Sequence, residues 1–232
     1  MVNPSLYVLL RFTFFLLILH FLFSQASKNP NLEPLLAFKV CTDKANKLTI
    51  WNSTTNPCTW TGVSCLHDQV SRLVLEDFDL QGSFESLTAL ILLRVLSLKP
   101  NRLSGPIPDL SNLTALKLLF LSHNDFFDEF SLLMPTLFRL YRLNLSYNNF
   151  FGEVPILVND LAHLLTLRLK ENRFFDSISS LNLPNLQDFN VSGDRFSNEI
   201  QWVTKIFFLI NTNWVYLIIL PISKKKKEKK RR

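Results

Sequence analysis

Leu140–Pro155 reads LYRLNLSYNNFFGEVP, and the reading of this stretch decides the fold. Reduced to a pattern it is L-x-x-L-x-L-x-x-N-x-F-x-G-x-V-P. Leu140, Leu143, Leu145 and Phe150 take the inward positions of a half-buried strand and the turn after it, while Arg142, Asn144 and Ser146 alternate outward. Asn148 stands where a buried amide can bond the backbone of the turn leaving the strand and so hold one coil onto the next. An amide in that place must find partners, because an unsatisfied one costs about 1–3 kcal/mol.

The pattern recurs, with its first apolar position at Val70, Leu93, Leu116, Leu140, Leu164 and Leu186, in steps of 23, 23, 24, 24 and 22 residues. The Asn column runs Phe78, Asn101, Asn124, Asn148, Asn172, Asp194, and the Gly column runs Gly82, Gly105, Asp128, Gly152, Asp176, Asn198. A Leu-rich helical bundle would need a 3.6-residue period sustained over about 10 residues, and it would leave the Asn column unexplained. Six copies at a near-constant period point to a solenoid, whose core grows with every coil.

The chain has 232 residues, 47% hydrophobic and 19% charged, which suits a folded protein. Its net charge of +6 is a local property. Lys224–Arg232 (KKKKEKKRR) holds eight basic residues and one Glu, a net of +7, so the remaining residues carry −1. The body has no charge signature of a nucleic-acid partner.

Residues 1–26 read as a secretory signal: Arg11, the apolar run Phe12–Phe23, then the small residues of Ser24-Gln25-Ala26. An uncleaved anchor is the other reading of this segment. Export places the three cysteines in an oxidising compartment, where Cys58 and Cys65 can close a short disulfide loop. Cys41 is left over and is expected as a buried thiol, with pairing between chains as the alternative. Four N-x-[S/T] acceptors for glycans stand at Asn52, Asn112, Asn144 and Asn190. Asn144 and Asn190 fall between two inward apolar residues of a strand, so a glycan there would occupy part of the concave face.

The first coil of a solenoid exposes an apolar end that must be covered. Residues 27–69 supply the cover: a helical segment with Leu32, Leu35, Leu36, Phe38 and Val40, which Asn31 could N-cap, followed by Trp51 and Trp60. The segment Leu35–Cys65, ending in CTWTGVSC, resembles the N-terminal cap of plant-type leucine-rich-repeat receptor-like proteins. SGPIP at Ser104–Pro108 and FGEVP at Phe151–Pro155 are similar to the G-x-[I/V]-P element of the plant class, and PDLSNLTAL at Pro108–Leu116 resembles small ectodomains of receptor-like kinases. The resemblance implies an α/β-type leucine-rich-repeat solenoid with a helical cap, about six repeats over 70–200, and a short parallel sheet on the concave face. It also implies a following membrane helix and a kinase-like domain. The chain carries no Gly-rich loop, VAIK-like Lys, HRD or DFG. The sixth copy departs from the pattern at Asp194, Asn198 and Gln201.

Three readings fit the tail. Ile206–Ile222, within 201–223, is an apolar run of marginal spanning length interrupted by Asn211, Thr212 and Asn213, and 224–232 is a basic flank on its C-terminal side. Together they suit a single-pass membrane anchor with a cytosolic polybasic end. A tail without a role of its own, and a terminal cap strand or peripheral membrane patch, are the other two.

His20, His67, His123 and His163 are isolated, and neither H-E-x-x-H, a zinc-type Cys spacing nor G-x-S-x-G occurs. No enzyme, metal or cofactor is expected. The informative surface is the set of outward strand positions, where Arg94, Lys117, Arg142 and Arg168 fall on successive strands among Phe120, Tyr141 and Tyr147. Strands about 4.8 Å apart would stack these cations into a stripe suited to an acidic or carboxylate-ended peptide. The expectation is a non-catalytic receptor-like protein binding a peptide or a partner ectodomain, a co-receptor among them. The alternatives are a secreted inhibitor of cell-wall-degrading enzymes and a truncated receptor-kinase product without independent function.

Overall fold

A computed structural model describes residues 11–18, 29–129, 136–176 and 181–196. Each repeat forms one coil of a leucine-rich-repeat solenoid. The inward Leu positions build a seven-stranded inner sheet from β1 (Val63–Leu66), β2 (Gln69–Val74), β4 (Val95–Ser97), β6 (Leu118–Phe120), β8 (Arg142–Asn144), β10 (Thr166–Arg168) and β12 (Asp188–Asn190), side by side in that order. The six repeat strands are parallel, and β1 closes the cap end by pairing antiparallel with β2. Leu73, Leu96, Leu119, Leu143 and Leu167 lie in register and fully buried. Fully burying one such side chain is worth about 1.5–3 kcal/mol.

Short strands leave each turn and pair laterally: β3 (Gln81–Gly82), β5 (Arg102–Gly105) and β7 (Asp125–Phe126) in one sheet, β9 (Phe151–Gly152), β11 (Arg173–Asp176) and β13 (Arg195–Phe196) in the other. The outer side is built of 3₁₀ turns such as Glu85–Ala89 and Ile156–Asp160. Among the described residues of the cap and coils, α-helix occurs only in α1 (Leu32–Thr42), so the α component of the fold lies in the cap.

Two internal ladders tie the coils together. Phe126, Phe150 and Phe174 stack at 6.4 and 6.3 Å, with Phe84 edge-on to Phe126 at 5.7 Å. Beside them runs the Asn column. Asn148 donates from Nδ2 to the carbonyls of Leu121 and Leu145, and its Oδ1 accepts from the Phe126 N–H of the preceding coil. Asn101, Asn124 and Asn172 repeat this arrangement. The three partners that a buried amide requires are thus all backbone groups.

At the cap, α1 buries Leu35, Phe38 and Thr42. Trp51 stacks on Trp60 at 5.0 Å, and their indole N–H groups donate to the Thr61 carbonyl and the Thr55 hydroxyl. Cys58 and Cys65 are disulfide-bonded, with Cα atoms 5.5 Å apart. A side chain on Gly62 (φ +80°) would place its Cβ 2.4 Å from the Val74 carbonyl oxygen, so this close approach requires glycine.

The structure corrects several expectations. Cys41 is exposed: α1 turns Leu35, Phe38 and Thr42 inward, and at 3.6 residues per turn Cys41 stands about 90° round the helix from the middle of that face. Asn31 precedes α1 without capping it; its amide donates to Asn29 and Gln69, and Asn29 accepts the Asn31 N–H. Ser146 is buried, because the chain bends inward after Leu145 to deliver Asn148. Asp128 in the Gly column does not adopt the left-handed conformation of Gly82, Gly105 and Gly152. A second set of positive-φ residues stands just before the Asn column, at Asp77, His123, Tyr147, Glu171 and Gly193.

Residues 11–18 are helical with Phe12, Phe14, Phe15, Leu16 and Leu17 exposed. No described helix is long and apolar enough to cross a membrane. The remainder of 1–26, the segments 201–223 and 224–232 with Ile206–Ile222, and Asn198 lie outside the described residues.

Candidate functional site

The solvent side of the inner sheet carries every candidate ligand-binding residue, and its strand register decides which of them meet. The backbone bonds Arg94 N–H to Ser71, Lys117 N–H to Arg94, and Tyr141 N–H to Lys117 define one row: Ser71, Arg94, Lys117, Tyr141, Leu165, Gln187. The next row is Arg72, Val95, Leu118, Arg142, Thr166, Asp188. Two residues further on runs Val74, Ser97, Phe120, Asn144, Arg168, Asn190.

The four cations therefore do not form a single stripe. Arg94 and Lys117 share a row, Arg142 stands one row on in line with Arg72, and Arg168 lies in the third. Arg168 is moreover spoken for: its Nη2 lies 2.6 Å and its Nε 2.8 Å from Asp188 Oδ2, a two-pronged pair on the sheet surface. Arg94, Lys117 and Arg142 are exposed and have no carboxylate partner among the described residues. The free positive charge thus concentrates on coils one to four, and coil six brings the neutralising acid.

The aromatic side chains are pinned by cations from neighbouring coils. Lys117 Nζ sits 5.9 Å from the centre of the Tyr141 ring, whose other neighbour is His163 at 5.8 Å. Lys99 Nζ sits 5.3 Å from the Phe120 centroid. At the edge, Tyr147 stacks on His123 at 4.1 Å, and Lys170 Nζ lies 5.1 Å from its centroid. The hydrogen bond to Tyr147, and then its charge, raise the Lys170 ammonium above its ordinary value. Each such exposed cation–ring contact is worth about 0.5–1 kcal/mol. Their combined effect is a set of rings held in place before any ligand arrives. The His123–Tyr147–Lys170 cluster was not foreseen from sequence; its signal is the left-handed turn position, which brings His123 and Tyr147 onto one edge.

The glycan acceptors differ in setting. Asn52 and Asn112 are exposed, Asn52 on a cap loop where its Oδ1 accepts from the N–H and hydroxyl of Thr54. Asn144 and Asn190 are half-buried in the third inner row, their Oδ1 atoms accepting from the N–H groups of Ser146 and Ser192. Asn144 stands between Phe120 and Arg168. Among the described residues no group of three His, Cys, Asp or Glu side chains is arranged to hold a metal ion.

Residues 30–66 match the leucine rich repeat N-terminal domain family. A probable leucine-rich repeat receptor-like protein kinase of Arabidopsis thaliana is 62% identical over 69 residues, 30% of this chain and 10% of that relative. The chain thus spans about a tenth of that relative's length. Among solved structures, a chain of the BIR3–SERK2 complex from Arabidopsis thaliana superposes with a TM-score of 0.63 at 28% identity, over 71% of this chain and 94% of the other. The Arabidopsis receptor kinase HAESA ectodomain, solved with an N-terminally extended IDA peptide hormone ligand, gives a TM-score of 0.56 at 26% identity, over 72% of this chain and 34% of the other.

Proposed function

We propose that the chain, built like a plant leucine-rich-repeat receptor-like ectodomain, captures on its inner face an extended acidic or carboxylate-ended peptide, or the ectodomain of a partner receptor. The observation that carries the reading is the placement of Arg72, Arg94, Lys117 and Arg142 in two adjacent rows that hold no acid before Asp188. A peptide carboxylate laid along these rows meets guanidinium groups able to bind it with two hydrogen bonds each. Tyr141 and Phe120, already held by Lys117 and Lys99, supply the apolar contact that such interfaces use as anchors. The HAESA ectodomain was solved with a peptide hormone ligand, and the BIR3–SERK2 structure is a complex of two proteins. The chain reaches its ligand through the secretory pathway, at the cell membrane if 206–222 inserts and as a secreted protein if it does not.

The test is a pull-down from a library of extended peptides bearing either free or amidated C-termini. Wild-type protein enriches acidic and free-carboxylate members, and Arg94→Glu/Arg142→Glu loses that enrichment while its disulfide and unfolding transition stay intact. Undiminished enrichment with the double variant would show that the cations are surface decoration. Carbonate-washed membranes report the anchor separately: retention supports a receptor-like protein, and release into the medium supports the secreted inhibitor.

A further inference from the structure

The coils present a second patterned face, on the lateral sheets. The residue just after each internal phenylalanine is Phe127 in coil three, Phe151 in coil four and Phe175 in coil five, where coils one and two have Gln81 and Ser104. These three rings are 52%, 41% and 47% exposed. Scattered surface apolars need no explanation, but three large rings at one repeat position on consecutive coils make a patch of the kind that marks an interface. The neighbours of the central ring are charged. Strand register sets Phe151 beside Arg173 on one side and Glu129 on the other, giving the exposed row Glu129–Phe151–Arg173 across three coils. Arg173 donates from Nη2 to Asn149 Oδ1 at 3.0 Å, a neutral partner, and no carboxylate pairs with it among the described residues.

An acid, a ring and a base in one row complement a second copy of themselves. We infer that this lateral face pairs two copies of the chain about a two-fold axis running along β9. That axis lies between the copies, so it sets Phe151 against Phe151 and each Glu129 opposite the partner's Arg173. Both ion pairs form at once, as an isologous interface requires. Phe127 and Phe175 extend the apolar surface to either side. The face is separate from the inner sheet, so pairing leaves Arg94, Lys117 and Arg142 open and does not depend on what they bind.

The test uses two differently tagged full-length copies, co-expressed and captured from a detergent extract. Wild-type copies co-capture one another. Glu129→Arg alone sets two bases together across the axis and loses capture; Arg173→Glu alone sets two acids together and loses it too. Co-expressing Glu129→Arg with Arg173→Glu restores capture, because each reversed residue then meets its opposite across the axis, an outcome that misfolding of either variant cannot give. Phe151→Asp abolishes capture in every combination. The inference is overturned if wild-type copies do not co-capture, if the single reversals capture as well as wild type, or if the mixed pair stays apart. Cross-linking of Phe151 to residues 206–222 of the same copy would overturn it as well, by showing the face covered from within.

Discussion

The two ends of the described array are built to different standards. At the first coil, an antiparallel strand, a stacked tryptophan pair and a disulfide cover the apolar end, and Val70, Leu73 and Leu75 are fully buried. At the sixth, the equivalent Leu186, Phe189 and Val191 are only half-buried, and Asp194 replaces the asparagine. The Asp194 carboxylate takes the Asn172 and Phe174 N–H groups on Oδ1, but its buried Oδ2 has no partner among the described residues. In the coil before, Nδ2 of Asn172 occupies that place and donates to the Leu145 and Leu169 carbonyls. An acceptor thus stands where coils two to five have a donor. In a quasi-linear array a coil is as secure as the neighbour that covers it, so the contrast predicts a molecule that is firm at the cap and opens from coil six.

The largest effect is expected from Trp51→Ala, which removes a fully buried indole stacked on Trp60; about 3–5 kcal/mol should be lost. Thermal or urea unfolding measures it, and a loss confined to the cap would break the idea that the cap secures the coils behind it. Asn148→Ala should cost about 2–3 kcal/mol, since the Phe126 N–H and two carbonyls lose their partner. Hydrogen exchange would then show coils three and four opening together.

Replacing Cys58 and Cys65 by serine closes no loop in the unfolded chain and should cost about 2 kcal/mol, a modest figure because the loop is short. The smallest change sharpens the comparison at the other end. Asp194→Asn restores the missing donor and should stabilise coil six by about 1 kcal/mol at neutral pH. The wild-type residue should also make that coil pH-dependent. Burial is the main cause that raises Asp194 from 3.8 to about 6, against the two backbone N–H groups that lower it. The folded coil therefore holds the proton more tightly than the unfolded one. Its contribution is complete below about pH 4 and is lost as pH rises through about 6. Amide exchange in 188–196 followed between about pH 4 and 7 reads this directly, and Asp194→Asn should flatten the profile.

What was legible in the sequence is what the repeat itself imposes. The inward Leu positions and the Asn column follow from a period, which survives single-residue noise, and the tryptophan-bearing cap follows from the apolar end that the first coil must cover. The site was less legible, for a geometric reason. Arg94, Lys117, Arg142 and Arg168 all fall on outward positions, but an outward label does not say which row a residue joins. A single-residue difference moved Arg142 out of line with Lys117. Nor could spacing show that Arg168 would meet Asp188 from the next coil. Cys41 and Ser146 escape a reading of spacing because a helix face and a strand bend are set by tertiary packing. The exposed phenylalanines next to the buried ones are hidden by their own doublets: FF in three coils looks like core on both counts until the backbone shows which ring turns away.

The amide ladder gives the solenoid a direction. Asn101, Asn124, Asn148 and Asn172 each supply an oxygen to N–H groups of the coil before, so a turn is finished only when its successor arrives. A coil left without a successor would hold an open mortise with no tenon. Cutting the chain back from its C-terminal side moves that gap one step inward and leaves it the same size, so shortened versions should share one weak point and differ only in where it sits.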